Sequence, residues 1–304
     1  MSVLDKPYFR SEKAAFKHLE TLLWPKGPVC PHCGSCAQPY DLAKTRLGLK
    51  KCRERECKKQ FTVRVGTVFE SSHIPLHKWM QAAFLMCSSK KGISAHQLHR
   101  TLEVTYKTAW FMAHRLREAM KDSGLPPIGG DGEAVQVDET YFGTIDALRG
   151  KTWAEKKGHS KKMSVVTLVN RGKSRTFHVE TANSETIQRI LMENVKKETT
   201  LHTDESRLYK RVGREFAGHE SVSHTAREYV RGEVHINTAE NYFSIFKRGM
   251  RGIYQHCKEK HLQRYLNEFD FRYNRREITD SERSDSALKG IAGKRLTYRQ
   301  SANG

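Results

Sequence analysis

Apolar residues near the start of the chain recur at helical spacing. Ala15, Phe16, Leu19, Leu22 and Leu23 share one helix face, which predicts a helix over 10–24. Residues 58–66 alternate as a short strand does, and 76–88 and 94–121 read as helices. Leu125–Gly132 is rich in Pro and Gly and marks a linker. Beyond it the period changes. Residues 134–142, 163–170, 175–180, 201–203 and 222–224 read as strands, with helices over 183–196 and 238–254. Residues 150–162 read as a basic flexible loop. Strands first, with helices between the later ones, predict a mixed α/β (α+β) domain. The expected division is 1–70, an N-terminal helix with a cysteine-rich segment; 71–123, helical; 124–133, linker; 134–278, the α/β domain; and 279–304, a polar tail composed like a disordered segment.

Charge narrows the function. The 304 residues carry 54 Lys and Arg against 34 Asp and Glu, a net charge of +20. Of this, +12 falls on residues 1–130 and +8 on 131–304. Such a chain is drawn to polyanions, nucleic acid above all. No apolar run is long enough to span a bilayer, and the N-terminus lacks the apolar core of a signal peptide. The expectation is a cytoplasmic protein without a membrane partner, nucleoid-associated when bound to DNA.

Five of the seven cysteines lie between 30 and 57. Cys30-Pro31-His32-Cys33 and Cys52-Arg53-Glu54-Arg55-Glu56-Cys57 form two knuckles with 18 residues between them. This spacing suits a structural zinc ion held by Cys30, Cys33, Cys52 and Cys57, with four thiolates closing the tetrahedron against water. His32 and Cys36 are spare candidates. Unligated thiols on a loop are the plainer alternative. Cys87 and Cys257 sit in helical patterns and read as core.

The segment Ile93–Leu102 is followed by Glu103–Trp110. Ser94 and Thr105 can each cap a helix, with Leu98, Leu102, Ala109, Met112 and Leu116 facing inward. Two short helices about a tight turn fit a helix-turn-helix, which would offer Tyr106, Lys107, Thr108, His114 and Arg115 to DNA. A plain helical hairpin is the alternative.

Three acids stand where apolar patterns would exclude them. Asp138 lies inside the apolar strand 134–142, Asp204 ends the strand Leu201-His202-Thr203, and Glu240 opens the helix after His235-Ile236-Asn237. Burying an unpaired carboxylate is costly, and a divalent cation removes that cost. Each acid also has a plainer reading. Asp138 or Asp204 could end a strand, and Asn237-x-x-Glu240 could be a capping box. Lys247, Arg248 and Arg251 follow Glu240 and could hold phosphates or form a solvated face.

Taken together, CPHCG, CREREC…FTVRVGTVFE, VQVDETYFG, LHTDES, HINTAENYFSIFKRGMRGIYQH and HLQRYLNEFDFRYNRR resemble bacterial insertion-sequence transposases of the ISXO-like group. The resemblance spans roughly residues 10–277. It implies a zinc ribbon ahead of an RNase H-like DDE domain, with Asp138, Asp204 and Glu240 as the catalytic acids and ligands of Mg²⁺ or Mn²⁺. The 35 residues between Asp204 and Glu240 suit such an enzyme. The implied activity is hydrolysis at the ends of an insertion sequence, then transfer of the freed 3′-hydroxyl into target DNA. The implied partners are double-stranded DNA, as terminal inverted repeats and as target, and further copies of the chain on that DNA. The rivals are a non-catalytic DNA-binding regulator derived from a transposase and a structure-specific nuclease of the same fold.

Overall fold

The computed structural model describes residues 2–146, 151–152, 162–222, 230–231 and 234–298. The chain forms two compact units, Met1–Lys121 with Glu277–Gly304, and Asp122–Arg276.

The first unit opens with α1 (Glu12–Leu23). Ser11 caps it through its hydroxyl, and Ala15, Phe16 and Leu19 are buried as their spacing requires. Three two-residue strands follow, β1 (Tyr40–Asp41), β2 (Lys50–Lys51) and β3 (Gln60–Phe61), in an antiparallel ribbon. The strand expected over 58–66 shrinks to β3. The chain turns immediately after it, where Val65 N–H donates to the Thr62 carbonyl and Gly66 takes a φ of 73°. Next come α2 (Leu76–Ser88), α3 (Ala95–Leu102) and α4 (Tyr106–Ala119). The break between α3 and α4 falls at Glu103, which adopts a left-handed φ of 50°. Ser94 and Thr105 cap the two helices through their side chains.

The second unit is built on a five-stranded mixed sheet. Its strands are β4 (Ala134–Phe142), β5 (Met163–Asn170), β6 (Lys173–Val179), β7 (Thr200–Asp204) and β8 (Gly218–Val222), in the order β6-β5-β4-β7-β8. The pairs β6–β5 and β5–β4 are antiparallel, whereas β4–β7 and β7–β8 are parallel. Helix α5 (Ser184–Asn194), which precedes β7, covers one face. There Ile187, Ile190 and Leu191 meet Val135, Val137, Val166, Leu168 and Leu201. A short pair, β9 (Val230–Arg231) with β10 (Val234–His235), precedes α6 (Asn237–Gly249), and α7 (Leu262–Asn274) follows. Tyr242, Phe243 and Phe246 of α6 and Leu262, Leu266 and Phe269 of α7 pack on Phe142, Met163 and Val165 of the other face. Both faces are covered, so β5 is buried over seven of its eight residues and shows no alternation.

Edge strand β6 is sealed by α7. The N–H groups of Ser174, Thr176 and His178 donate to the side chains of Asn274, Asp270 and Gln263 at 2.6–2.8 Å. These residues stand seven and four apart on one helix face and stand in for a sixth strand.

Several expectations need correction. The helix expected over 238–254 is α-helical only to Gly249 and continues as a π turn over Met250–Tyr254. The linker expected over 124–133 is partly built into the second unit. Ile128 forms a parallel bridge with Val195, donating to the Asn194 carbonyl and accepting from Lys196 N–H. The strand expected over 222–224 is β8, displaced toward the N-terminus; residues 223–224 lie outside the described residues. So does most of the basic loop 150–162, and 299–304 of the tail.

The tail expected to be disordered is instead structural as far as residue 298. Helix α8 (Asp280–Lys289) starts in a capping box made by Thr279 and Glu282. Ala287, Leu288 and Ile291 are wholly buried, and Arg283 donates to the Cys87 carbonyl at 2.8 Å. Three apolar anchors, not the mean composition, order the segment, and it closes the first unit from the far end of the chain.

Candidate active site and metal centre

The cysteine centre comes from the two knuckles. Cys30 and Cys33 flank one tight turn, in which Gly34 N–H donates to the Cys30 carbonyl, while Cys52 and Cys57 flank a second turn beyond β2. The four sulfur atoms lie within 4.8 Å of one another. Cys30–Cys57 Sγ are 3.8 Å apart and Cys33–Cys52 Sγ are 3.6 Å apart. A tetrahedron of sulfurs about 2.3 Å from a central zinc has edges of about 3.8 Å, so the donor set fits zinc in both chemistry and size. Burial works against a thiolate at Cys30, but the backbone amides of His32 and Cys33 outweigh it and bring the group down to about 7. Phe61, Trp24 and Val65 pack beneath the centre. His32 faces the Gln60 carbonyl and Cys36 the Gly34 carbonyl, so neither belongs to the cluster. Cys87 and Cys257 are buried, as their helical patterns suggested.

The carboxylates gather in the second unit where β7 ends beside the middle of β4. Asp138 is in β4, Asp204 is the last residue of β7, and Glu240 is in the first turn of α6. The β4–β7 ladder ends at Gln136↔His202. Carried two residues further, the same register sets Asp138 beside Asp204, and the strand period puts both on the α6 face of the sheet. The Asp138 carboxyl is pushed up to about 7, chiefly by burial, then by the charges of Glu139, Asp204 and Glu240. The structure therefore brings the three acids into electrostatic contact. Their oxygens are less tightly drawn together than the sulfurs: among the described residues, only the four cysteines place three or more ligand atoms within 4.8 Å of one another. Hard oxygen donors in a mutually repelling group, with Asp138 and Asp204 half-buried and Glu240 exposed, suit Mg²⁺ or Mn²⁺ and do not suit a softer metal.

The capping-box reading of Glu240 fails. The N-cap of α6 is Ile236, and no side chain of the helix caps it. The cap comes instead from β4. Ala239 N–H donates to Gln136 Oε1 at 3.2 Å, and Gln136 Nε2 donates to Thr238 Oγ1 at 3.3 Å.

Glu139, adjacent to Asp138, points to the opposite face and accepts a hydrogen bond from the Tyr209 hydroxyl. Burial raises the Glu139 carboxyl, Asp204 adds to the rise, and the Tyr209 bond opposes it. Tyr209 is itself wholly buried, five residues after Asp204. Sequence reading missed both Gln136 and the Glu139–Tyr209 pair. The available signal was a polar side chain at each of three successive even positions of β4 (Gln136, Asp138 and Thr140) beside the apolar Val135 and Val137.

Of the basic residues proposed for DNA, Lys107 is exposed at the start of α4, its Nζ 4.5 Å from the Tyr298 ring. Arg248 and Arg251 are exposed and Lys247 is half-buried. Arg115 is a correction. It is buried, its Nε donates to the Leu296 carbonyl at 3.1 Å and its guanidinium lies over Phe111, so it braces the first unit and does not reach solvent. His114 is also buried, against Trp110. Arg115 lies eight residues, about two turns, along α4 from Lys107, where the helix is packed into the unit. Tyr106 and Thr108 remain at the exposed end of α4, Tyr106 stacked on His96.

Comparison with known families separates the two halves in the same way. Residues 10–60 match the model of a transposase zinc-ribbon domain, and residues 130–274 match that of the ISXO2-like transposase domain. The chain thus carries an ISXO2-like transposase domain behind a transposase zinc ribbon. A relative from Halobacterium salinarum, described as a protein in transposable element ISH50, is 29% identical over 292 residues, covering 87% of this chain and 91% of its own length. The transposase domain begins within the Ile128–Val195 bridge region and ends with α7, and so includes all three acids as well as Gln136, Glu139 and Tyr209. Among the described residues no helix is long and apolar enough to cross a membrane.

Proposed function

We propose that this transposase cuts DNA at the ends of its insertion sequence and joins the freed 3′-hydroxyl to target DNA, with Asp138, Asp204 and Glu240 as catalytic residues. The observation that carries the reading is the coupling of these three acids, from the middle of β4, the adjoining end of β7 and the first turn of α6, around the half-buried Asp138 carboxyl. The strand order β6-β5-β4-β7-β8, antiparallel then parallel, supports an RNase H-like assignment for the unit. Mg²⁺ or Mn²⁺, held by these carboxylates, would supply charge neutralisation at the scissile phosphate and acidify the attacking hydroxyl. The protein's own part is to hold the acids on rigid elements, so that an attacking oxygen and a leaving oxygen line up across one phosphorus. Water is the nucleophile in the first step and the DNA 3′-hydroxyl in the second.

DNA recognition falls to the first unit. Zinc held by Cys30, Cys33, Cys52 and Cys57 stabilises a ribbon ringed by Lys50, Lys51, Arg53, Arg55, Lys58 and Lys59. The α3–α4 pair serves as a helix-turn-helix, with Tyr106 and Lys107 at the exposed N-terminal end of α4. Lys247, Arg248 and Arg251 hold phosphates near the acids. Joining two element ends in one event calls for more than one chain on the DNA.

The test is incubation of the purified, zinc-loaded protein with DNA carrying the element's inverted repeats and with a target plasmid in Mg²⁺ or Mn²⁺. Joined product is expected. Cleavage without joining would make the protein a nuclease, and binding with neither would make it a regulator.

A further inference from the structure

The geometry points to Gln136 as the positioning residue that fixes the third carboxylate against the first. The inference rests on the reading of Asp138, Asp204 and Glu240 as one divalent-metal site.

A helix start leaves its first N–H groups without intrahelical partners, and a side chain at the N-cap normally takes one of them. The N-cap of α6 is Ile236, whose side chain has no acceptor. Asn237, which the sequence offered for that role, does not cap the helix. The Ala239 N–H is satisfied from outside, by the Gln136 carbonyl oxygen, while the other end of the same amide grips the Thr238 hydroxyl. A single side chain thus holds two consecutive residues of the first turn of α6, and the next residue is Glu240.

The other end of the clamp is equally close to the site. Gln136 is two residues before Asp138, on the same face of β4. It is also the last residue of β4 in the ladder with β7, paired with His202, itself two residues before Asp204. The amide therefore sits where all three acid-bearing elements come together. Further along α6, Tyr242, Phe243 and Phe246 anchor the helix to the sheet by packing. Apolar packing is non-directional. The paired hydrogen bonds are directional, and they act at the one turn where the position of Glu240 is decided. Gln136 neither reacts nor ligates; it sets the spacing that a small cation requiring near-octahedral geometry needs.

The experiment is Mn²⁺ binding to full-length, zinc-loaded protein without DNA, followed by titration calorimetry, alongside strand transfer as a function of Mn²⁺ concentration. Gln136→Met keeps the length and stem of the side chain but cannot form either bond. It should weaken Mn²⁺ binding by about tenfold or more, the usual effect of removing a group that orients metal ligands. Strand transfer should return toward the parent rate as Mn²⁺ is raised. Thr238→Val should weaken binding by a smaller factor, about threefold, and Thr238→Ser, which keeps the hydroxyl, should restore it. The Thr238 pair carries the test if Gln136→Met does not fold. Parent-like Mn²⁺ affinity in Gln136→Met or Thr238→Val, with Glu240→Gln and Asp138→Asn impaired, would overturn the role of Gln136 alone. Parent-like affinity in Asp138→Asn and Glu240→Gln as well would overturn the underlying metal-site reading, and the inference with it.

Discussion

At the residue scale, two groups of side chains are held against their own solvation preferences. The four cysteines are the simpler case. Their sulfurs lie at the corners of a zinc-sized tetrahedron, above a small apolar base of Trp24, Phe61 and Val65 that could not hold the ribbon by itself. Cys52→Ser should therefore lose the roughly one zinc per chain expected of the parent and lower the melting temperature of the first unit, measured by metal analysis and thermal scanning. Asp138 is the less obvious case. Its carboxyl is raised to about 7, from an ordinary value near 4, by burial and three like charges. For an acid, a folded-state pKa above the unfolded one means that the folded chain holds the proton longer. The group then costs stability progressively as pH rises from about 4 to about 7, and fully above that. In magnesium-free buffer at pH 8, with zinc retained, Asp138→Asn should be more stable than the parent by on the order of 2 kcal/mol. The gain should vanish near pH 3, about one unit below the unfolded value, where both states are protonated. Denaturant melts at the two pH values test this, and a loss of stability at pH 8 would show that the Asp138 charge is compensated within the protein.

Among the elements, strong periodicity and caps were legible and composition misled. Strands β4 and β5 fall where the sequence places them, because runs such as Met163-Ser164-Val165-Val166-Thr167-Leu168-Val169 can be buried only as strands of a covered sheet. Helix α8 was hidden by its polar sequence, although its capping pair, Thr279 and Glu282, was in plain view. Helix α7 shows the same limit. Its motif was noticed for its family resemblance, but its physical task depends on three polar residues meeting an edge strand some ninety residues away in sequence, a relation that no local period encodes. Asp270 is the centre of that seal. It accepts from Ser174 Oγ, Thr176 Oγ1 and Thr176 N–H at 2.7–2.8 Å. Asp270→Ala leaves those buried donors unmet and should cost about 2–4 kcal/mol in urea unfolding, whereas Asp270→Asn, which keeps an acceptor, should cost less. Equal stability of Ala and parent would mean that β6 is held by packing alone.

At the scale of the whole molecule, the sequence revealed the division of labour but not its boundaries. The cysteine knuckles and the acid spacing are local and were read directly. The first unit's closure by residues 277–298 is not local, nor is the strand-to-helix clamp at Gln136, and both needed the fold. Arg115 shows why surface chemistry read from a helix pattern is fragile: about two turns of one helix separate a solvent-facing lysine from a core arginine. The central claim is that three acids from distant parts of the chain act as one catalytic group. It is tested most directly by strand transfer with purified Glu240→Gln protein, after its folding and its binding to element-end DNA have been found normal. The amide preserves shape and any helix-capping ability but removes the charge. The account predicts that joining is abolished in both Mg²⁺ and Mn²⁺ while DNA binding is unchanged; joining at the parent rate would contradict it and place the third acid elsewhere.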